Sequence, residues 1–422
     1  MMLSKQRERS RLAYPVLVMC LAAGFLFYKY VLQVFPSIIT EQLMEEFHLT
    51  GVGLGGLAAT FFYTYMITQL FVGILLDKFS TRGLTSAAIF CCATGVLLFS
   101  QAHTVLAASV FRGLMGVGVA FATVSYMKLA ALWFPPRQYA FVSGLLATAA
   151  MAGAVFGQAP LAWFITDFGW RYCLWIVGMV GFGLGFLFLI LVRDNSPYSQ
   201  IKSSESRISF SDIGLVFKNK QNWLLTFYSG LAFSPVAVFG GLWGNPFLEQ
   251  AYQLSKTQAA SMVSLVFIGL GLGSPLLGML SDRLGKRRVV MFFSTLVSCL
   301  AITLIIYAHP LSLGILSVLL FVFGFGLGAF MLVFAMGKEI NNLALTATVI
   351  AMINTSDAAL DALTEPFIGK LLDLGWDGKI VNGVHQFSLY SYHLALSVLP
   401  IYLLIAALLL LWVKEVPANR QP

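Results

Sequence analysis

Charge is what this sequence has least of. Only 10% of its 422 residues are Asp, Glu, Lys or Arg, where a soluble domain spends about a quarter. That shortage excludes an ordinary water-exposed globule. Polar stretches are scarce too, and residues 194–221 form the only long Ser-rich segment. There are five cysteines, Cys20, Cys91, Cys92, Cys173 and Cys299, each inside an apolar run. They read as small packing residues, so neither a disulfide framework nor a metal site is expected. No nucleotide-binding motif and no nucleophile–base constellation is visible, so nothing suggests ATP drive or an enzyme. No cofactor is expected.

What the chain has instead is apolar sequence, 59% of it. A bilayer core is crossed by about 20 apolar residues in a helix. The runs predict twelve such helices, over 13–35, 53–76, 84–101, 105–133, 140–165, 172–192, 222–248, 257–280, 289–308, 311–337, 345–372 and 389–413. Residues 1–12 read as a basic arm, 13–193 and 222–413 as two six-helix bundles, 194–221 as a linker and 414–422 as a tail. Pro36 and Pro135-Pro136 mark helix ends, and Glu41, Glu45 and Glu46 mark an amphipathic turn after the first helix. Gly153 with Gly157, and Gly324 with Gly328, have the four-residue spacing that suits close helix contact.

The formal net charge of +8 would suit nucleic acid if the cations were clustered, but they are spread along the chain. Lys5, Arg7, Arg9 and Arg11 precede the first apolar run, and the rest concentrate in every second loop: Lys78 and Arg82, Arg137, Arg193 to Lys220, Arg283 to Arg288, and Lys338. Basic loops stay in the cytoplasm, so both termini are expected inside and the number of spans even. The expected partners are the lipid bilayer and a small-molecule substrate, not nucleic acid.

The stretch Gly278-Met279-Leu280-Ser281-Asp282-Arg283-Leu284-Gly285-Lys286-Arg287-Arg288 joins two of the apolar runs. A second copy, Gly73-Ile74-Leu75-Leu76-Asp77-Lys78-Phe79-Ser80-Thr81-Arg82-Gly83, lies half a chain earlier. A charged hairpin repeated at the same place in each half indicates two related bundles. The pattern resembles the G-x-L-x-D-R-x-G-R-R/K loop of the major facilitator superfamily. The first copy departs from it, with Ser80 for the usual Gly and Thr81 for a basic residue. Arg112-Gly113-Leu114-Met115-Gly116-Val117-Gly118 resembles the R-x-x-x-G-x-G motif of that family's fourth helix. The Gly-Pro pair of its drug exporters is missing from Gly153 to Pro160. Lys128 through Trp133-Phe134-Pro135-Pro136 is similar to the family's bacterial organic-anion and nutrient permeases.

The resemblance implies an all-α integral membrane protein of twelve helices, a monomer of the bacterial inner membrane, that alternates access to a central site. It also implies that Asp77 and Asp282, helped by Gly73, Arg82, Gly278, Arg283, Gly285 and Arg287, close the cytoplasmic side against a helix N-terminus of the opposite half.

Charges inside spans carry the rest of the information, because each costs several kcal/mol and faces a cavity or a partner. Lys29 and Arg112 fall at similar depth on the first and fourth helices, which line the cavity in the family. Tyr30 and Gln33 lie beside Lys29. Asp357, Asp361 and Glu365 recur every four residues, on one stripe of the eleventh helix with Asn354. Like charges one turn apart disfavour double ionisation, which makes the stripe the proton-coupling candidate. Its alternative is neutralising pairing with Lys29, Arg112 or cations of the outer loops. Gln158, Tyr228, Trp243 and Asn245 are further pocket candidates, and Tyr63, Tyr65 and Gln69 are weaker ones. The expectation is proton-coupled uptake of an amino acid, short peptide or other zwitterion. A small organic anion, carboxylate or phosphate ester, comes next, with Lys29 and Arg112 as its clamp. An exporter and a transporter-like receptor follow.

Overall fold

The computed structural model describes residues 2–194, 210–308, 310–341, 345–381 and 383–415. Within these, the side chains of 2–13, 77, 136, 137, 139–141, 143, 144, 210–213, 346 and 347 fall outside the description. The first half contains α1 (Met2–Val34), α2 (Thr40–Phe47), α3 (Gly51–Lys78), α4 (Thr81–Ser100), α5 (Val105–Trp133), α6 (Pro136–Phe156), α7 (Ala159–Phe168) and α8 (Trp170–Leu191). The second contains α9 (Phe210–Lys218), α10 (Lys220–Val238), α11 (Gly244–Tyr252), α12 (Lys256–Leu284), α13 (Arg287–Tyr307), α14 (Leu313–Leu327), α15 (Leu332–Ile340), α16 (Thr346–Leu374), α17 (Leu389–Leu396) and α18 (Val398–Leu410). A two-residue antiparallel pair, β1 (Ile380–Val381) and β2 (Val384–His385), links α16 to α17.

Among the described residues, eleven helical segments are long and apolar enough to cross a membrane. The twelfth crossing is α16, whose 29 residues span about 40 Å at ~1.5 Å each. Its middle holds the three carboxylates. Side-chain caps fix where several crossings begin. Thr50, Thr104 and Ser312 accept from the third backbone N–H beyond them. Ser255 and Gln258 form a reciprocal capping box on α12. Gly285, at φ +62°, ends α12 in a left-handed turn that favours glycine.

Several predicted helices are interrupted rather than continuous. The fifth breaks at Gly157–Gln158 between α6 and α7. The seventh passes through a π turn at Phe239–Trp243, and the tenth through a 3-10 turn at Gly328–Met331. The twelfth breaks at Ser397. The basic arm is itself helical, since α1 starts at Met2. The acidic turn after the first helix forms as α2. Most of the linker lies outside the described residues.

The halves meet through α3 against α16 and through α6 and α7 against α12. These are the second with the eleventh crossing and the fifth with the eighth, as a two-fold relation between the bundles requires. Glycine allows the backbones to touch. A Cβ on Gly55 would collide with the Glu365 carbonyl and come within 2.6 Å of Pro366 Cα. Gly153 faces Phe27 of α1, and Gly324 faces Val266 of α12, each with a backbone Cα inside 3.0 Å of a built Cβ. The spacing read from the sequence therefore marks real helix crossings.

The two ends of the molecule differ. At the end opposite the charged hairpins, the halves are bonded to each other. Asp373 of α16 accepts from the Gly51 and Val52 amides at the start of α3, at 2.7 and 2.8 Å. Glu41 pairs with Lys256 at 2.7 Å. At the hairpin end, Arg82 and Arg287 each bond within their own half. Arg82 donates to Leu189 O at 2.5 Å, and its amide to Asp194 at 2.9 Å. Arg287 binds Glu339 at 2.8 Å and Asp282 at 3.3 Å. Among the described residues Asp282 has no partner in the opposite half: its side chain is 68% exposed and paired inside its own hairpin. The Asp77 side chain lies outside the described residues. A Cβ on Gly73 or Gly278 would meet open space. Neither Arg82 nor Arg287 reaches across to the other half here.

Candidate functional site

A cavity of about 310 Å³ lies between the halves, on the hairpin side of the sealed end. That is the lower end of the range for small-molecule sites. Its first-half wall carries Lys29, Tyr30 and Gln33 from α1 and Tyr65 from α3. Its second-half wall carries Asn354, Asp357 and Asp361 from α16. Phenylalanines supply much of the remainder, with Phe61 and Phe62 from one half and Phe233, Phe330 and Phe334 from the other.

Lys29 is 5% exposed. Its Nζ donates to Tyr65 Oη at 3.3 Å and lies 4.7 Å from the Tyr65 ring centre and 5.1 Å from that of Tyr30. Two ring faces and a phenol oxygen thus hold the ammonium. Among the described residues, Lys29 has no carboxylate within ion-pair distance. Across the cavity Asp357 is 8% and Asp361 1% exposed, and Oδ1 of each is buried without a hydrogen-bond partner. Among the described residues no ion pair joins Asp357 or Asp361 to Lys29 or Arg112, whereas Glu365, at the far end of the stripe, lies close enough to Arg112 for the two charges to interact.

Other sequence candidates fall outside the cavity. The Arg112 guanidinium turns to the end of α1, about one helical turn beyond Lys29. It donates to Leu32 O at 2.5 Å and Gln33 O at 3.2 Å, between the rings of Phe35 and Phe61. The last carbonyls of a helix have no partner in the helix and carry partial negative charge. Arg112 satisfies two of them, so it secures the turn that presents Gln33 instead of clamping a ligand. Glu365 is 2% exposed, with Oε2 unpartnered, and is not on the cavity wall.

Gln158 and Asn245 belong to the seal. Gln158 Nε2 donates to Ser37 Oγ at 2.9 Å and to Gly240 O at 2.6 Å. Asn245 Nδ2 donates to Gln158 Oε1 at 2.8 Å and to Ser37 Oγ at 3.1 Å. All three side chains are fully buried. Ser37 lies in the 3-10 turn after α1, Gln158 at the break of the fifth crossing and Asn245 just after the π turn of the seventh, which presents Gly240 O. Tyr228 pairs with Thr295 at 3.1 Å inside the second half, and Trp243 Nε1 donates to Glu365 O at 3.3 Å. Trp243 instead floors a second hollow of about 280 Å³ beyond the seal, with Glu41 and Glu249 on its walls.

Sequence reasoning missed Phe233, Phe330 and Phe334 on the cavity wall and Asp373 at the seal. The phenylalanines carry no signal that separates them from lipid-facing ones. Asp373 did carry one, an acid at the far end of a crossing that already held three.

The model of the Major Facilitator Superfamily matches residues 18–243 and 223–422. The chain is 30% identical over 187 residues to the uncharacterized transporter YybO of Bacillus subtilis, a match over 44% of this chain and 42% of that protein. It is 25% identical to the probable sulfoacetate transporter SauU of Cupriavidus necator, over 67% of each. It is 24% identical to the probable galactarate/D-glucarate transporter GudP of Bacillus subtilis, over 69% of this chain and 72% of that one. Its backbone superposes on the crystal structure of a bacterial homologue of the human lysosomal transporter Spinster, in an inward-facing and occupied conformation. That TM-score is 0.80 at 15% identity, over 95% and 97% of the chains. With two pseudo-symmetric bundles, a cavity between them, and a family match spanning nearly the whole length, the chain belongs to the major facilitator superfamily and is a membrane transporter, not an enzyme.

Proposed function

We propose that the chain carries small organic anions across the bacterial inner membrane by alternating access, with proton coupling. The single observation that carries this reading is Lys29, a buried ammonium on the cavity wall held by aromatic rings and a phenol. Its charge is left for a ligand anion, since a buried charge without a counterion is stabilised by whatever anion enters. Relatives named for sulfoacetate and for galactarate or D-glucarate support an anion over the amino acid or peptide that the sequence favoured. The alternation of basic loops sets the hairpin end in the cytoplasm. The cavity then faces inward in this conformation, with the outer end sealed.

Asp357 and Asp361 are the proton carriers in this scheme. Protonated, they let the α16 face meet the cavity without a net charge, and loss of the proton resets the carrier. A zwitterion is the second reading, favoured by the placement of Lys29 and the two aspartates on opposite walls of one cavity. The test is ligand binding to purified Lys29→Ala and Lys29→Arg protein, followed as stabilisation by carboxylates, amino acids and phosphate esters. Lys29→Ala is expected to lose the carboxylate response while unfolding at the same temperature, and Lys29→Arg to recover it only in part, because a fork replaces a point charge. Unchanged carboxylate binding in Lys29→Ala overturns the reading. A response to amino acids alone selects the zwitterion.

A further inference from the structure

We infer that the molecule has a second ligand site, across the seal from the cavity, which takes a small primary ammonium with an apolar arm and holds the seal shut. The site is the hollow of about 280 Å³ floored by Trp243. Both halves build it. Glu41 and Leu54 come from the first, and Trp243, Glu249 and Tyr392 from the second. Leu54 and Trp243 are almost fully buried, whereas Val381 of β1 and Gln253 on the same hollow are exposed. The floor is thus closed and the mouth open, on the side opposite the charged hairpins.

Two polar groups face this hollow with nothing to bind. The Glu249 carboxylate makes no ion pair or hydrogen bond among the described residues. Lys256, the cation whose charge reaches it, is held by Glu41 at 2.7 Å. Tyr392 is 5% exposed and within electrostatic reach of Glu249. Its ring packs on Phe247 and Phe387, with centres 5.8 and 6.2 Å apart, yet its hydroxyl makes no hydrogen bond among the described residues. Unlike Oδ1 of the cavity aspartates, neither group is closed off by protein atoms. An ionised carboxylate only accepts, and a phenol oxygen can accept beside it, so both suit one cation with several N–H donors. A metal ion is not suited, because no three His, Cys, Asp or Glu among the described residues are grouped to hold one. The faces of Trp243 and Phe387 complete the fit, since aromatic rings attract an ammonium and cover an apolar arm. The rim is tied to the seal: His385 stacks on Trp376 at 3.8 Å and faces Asp373 at 3.9 Å. Because the walls come from both halves, an occupant binds the sealed arrangement and not one in which this end has parted. A ligand that binds one state alone raises the population of that state.

The probe is phenethylammonium, compared with phenethyl alcohol, which keeps the arm and loses the charge. Both are titrated onto the purified full-length protein by calorimetry. The ammonium is expected to bind tighter than the alcohol by about tenfold or more. Glu249→Gln is expected to bring the two within about threefold of each other, and Tyr392→Phe to weaken the ammonium by about threefold or more. Either variant serves should the other not fold. Ser37 is fully buried while the seal is shut. In Ser37→Cys protein the ammonium is therefore expected to slow alkylation at that position by about threefold or more. No binding of the ammonium, or binding no tighter than the alcohol, overturns the inference. So does a preference for the ammonium that survives Glu249→Gln, and its loss in Asp361→Asn would then place the amine in the cavity. Binding that leaves the Ser37→Cys reaction unchanged overturns it as well.

Discussion

Two cations placed at one depth by the sequence do opposite things, and the difference is only which way each side chain turns. Arg112 spends its guanidinium on two backbone carbonyls and two rings. Its removal orphans the end of α1, so Arg112→Met should lower the unfolding free energy by about 2–3 kcal/mol, read as a fall in Tm in detergent. Lys29 is a buried charge whose desolvation offsets what the two rings and the phenol return, so Lys29→Met should leave Tm unchanged or raise it. Equal losses of stability in the two variants would contradict these roles. Among the acids, Asp361→Asn should keep counterflow exchange between equal pools while losing accumulation driven by a pH gradient. Asp357→Asn should show the same defect more mildly. Intact pH-driven accumulation in the double variant would rule out the proton role. The sequence made both cations and the acidic stripe conspicuous, because charge inside an apolar run is expensive. It could not tell their orientations, since a rotation of well under one helical turn separates a cavity wall from a helix crossing.

At the level of elements, the crossings themselves were legible and their interruptions were not. Apolar runs and Pro or Gly punctuation gave twelve helices, but the break at Gly157–Gln158 and the π turn at Phe239–Trp243 depend on hydrogen bonds between crossings. Those bonds tie Ser37, Gln158, Gly240 and Asn245, which are distant in sequence. The crossing of α3 over α16 makes the seal sensitive to bulk. Gly55→Leu places a side chain where the Glu365 carbonyl and Pro366 now lie. It should hold the sealed end open, so that a cysteine introduced near the Ser37 cluster reacts with a reagent added from outside. Asp373→Ala should act in the same direction but less strongly. Loss of a carboxylate from two N-terminal amides is worth about 1 kcal/mol, roughly fivefold in the population of the sealed state. An Asp373→Ala protein as unreactive as wild type would deny it a part in the seal.

For the whole molecule, the repeated hairpin showed the two-fold design, and the cavity falls between the halves as that design implies. The conformation was beyond the sequence, because one chain encodes every state of the cycle. The bonds across the sealed end give a test of that cycle. Glu41→Cys/Lys256→Cys replaces an ion pair that spans the halves at 2.7 Å, so a short bifunctional reagent should link them. The linked protein should still bind anions from the hairpin side but lose net transport, and cleaving the linker should restore it. Transport undiminished by complete linkage would refute alternation about this end.

The acids of α16 also bear on how the molecule is made. A carboxylate near the middle of a helix costs roughly 2.5–3.5 kcal/mol to insert from the translocon, and α16 carries three. Among the described residues eleven crossings are long and apolar enough to span on their own composition, and α16 is not one of them. Its close partner α3 is synthesised much earlier, in the other half of the chain. The first bundle must then stand ready in the membrane as a template, and α16 reaches its place by docking against protein before it meets lipid. The helix most concerned with the cargo is the one whose biogenesis depends on the complete carrier.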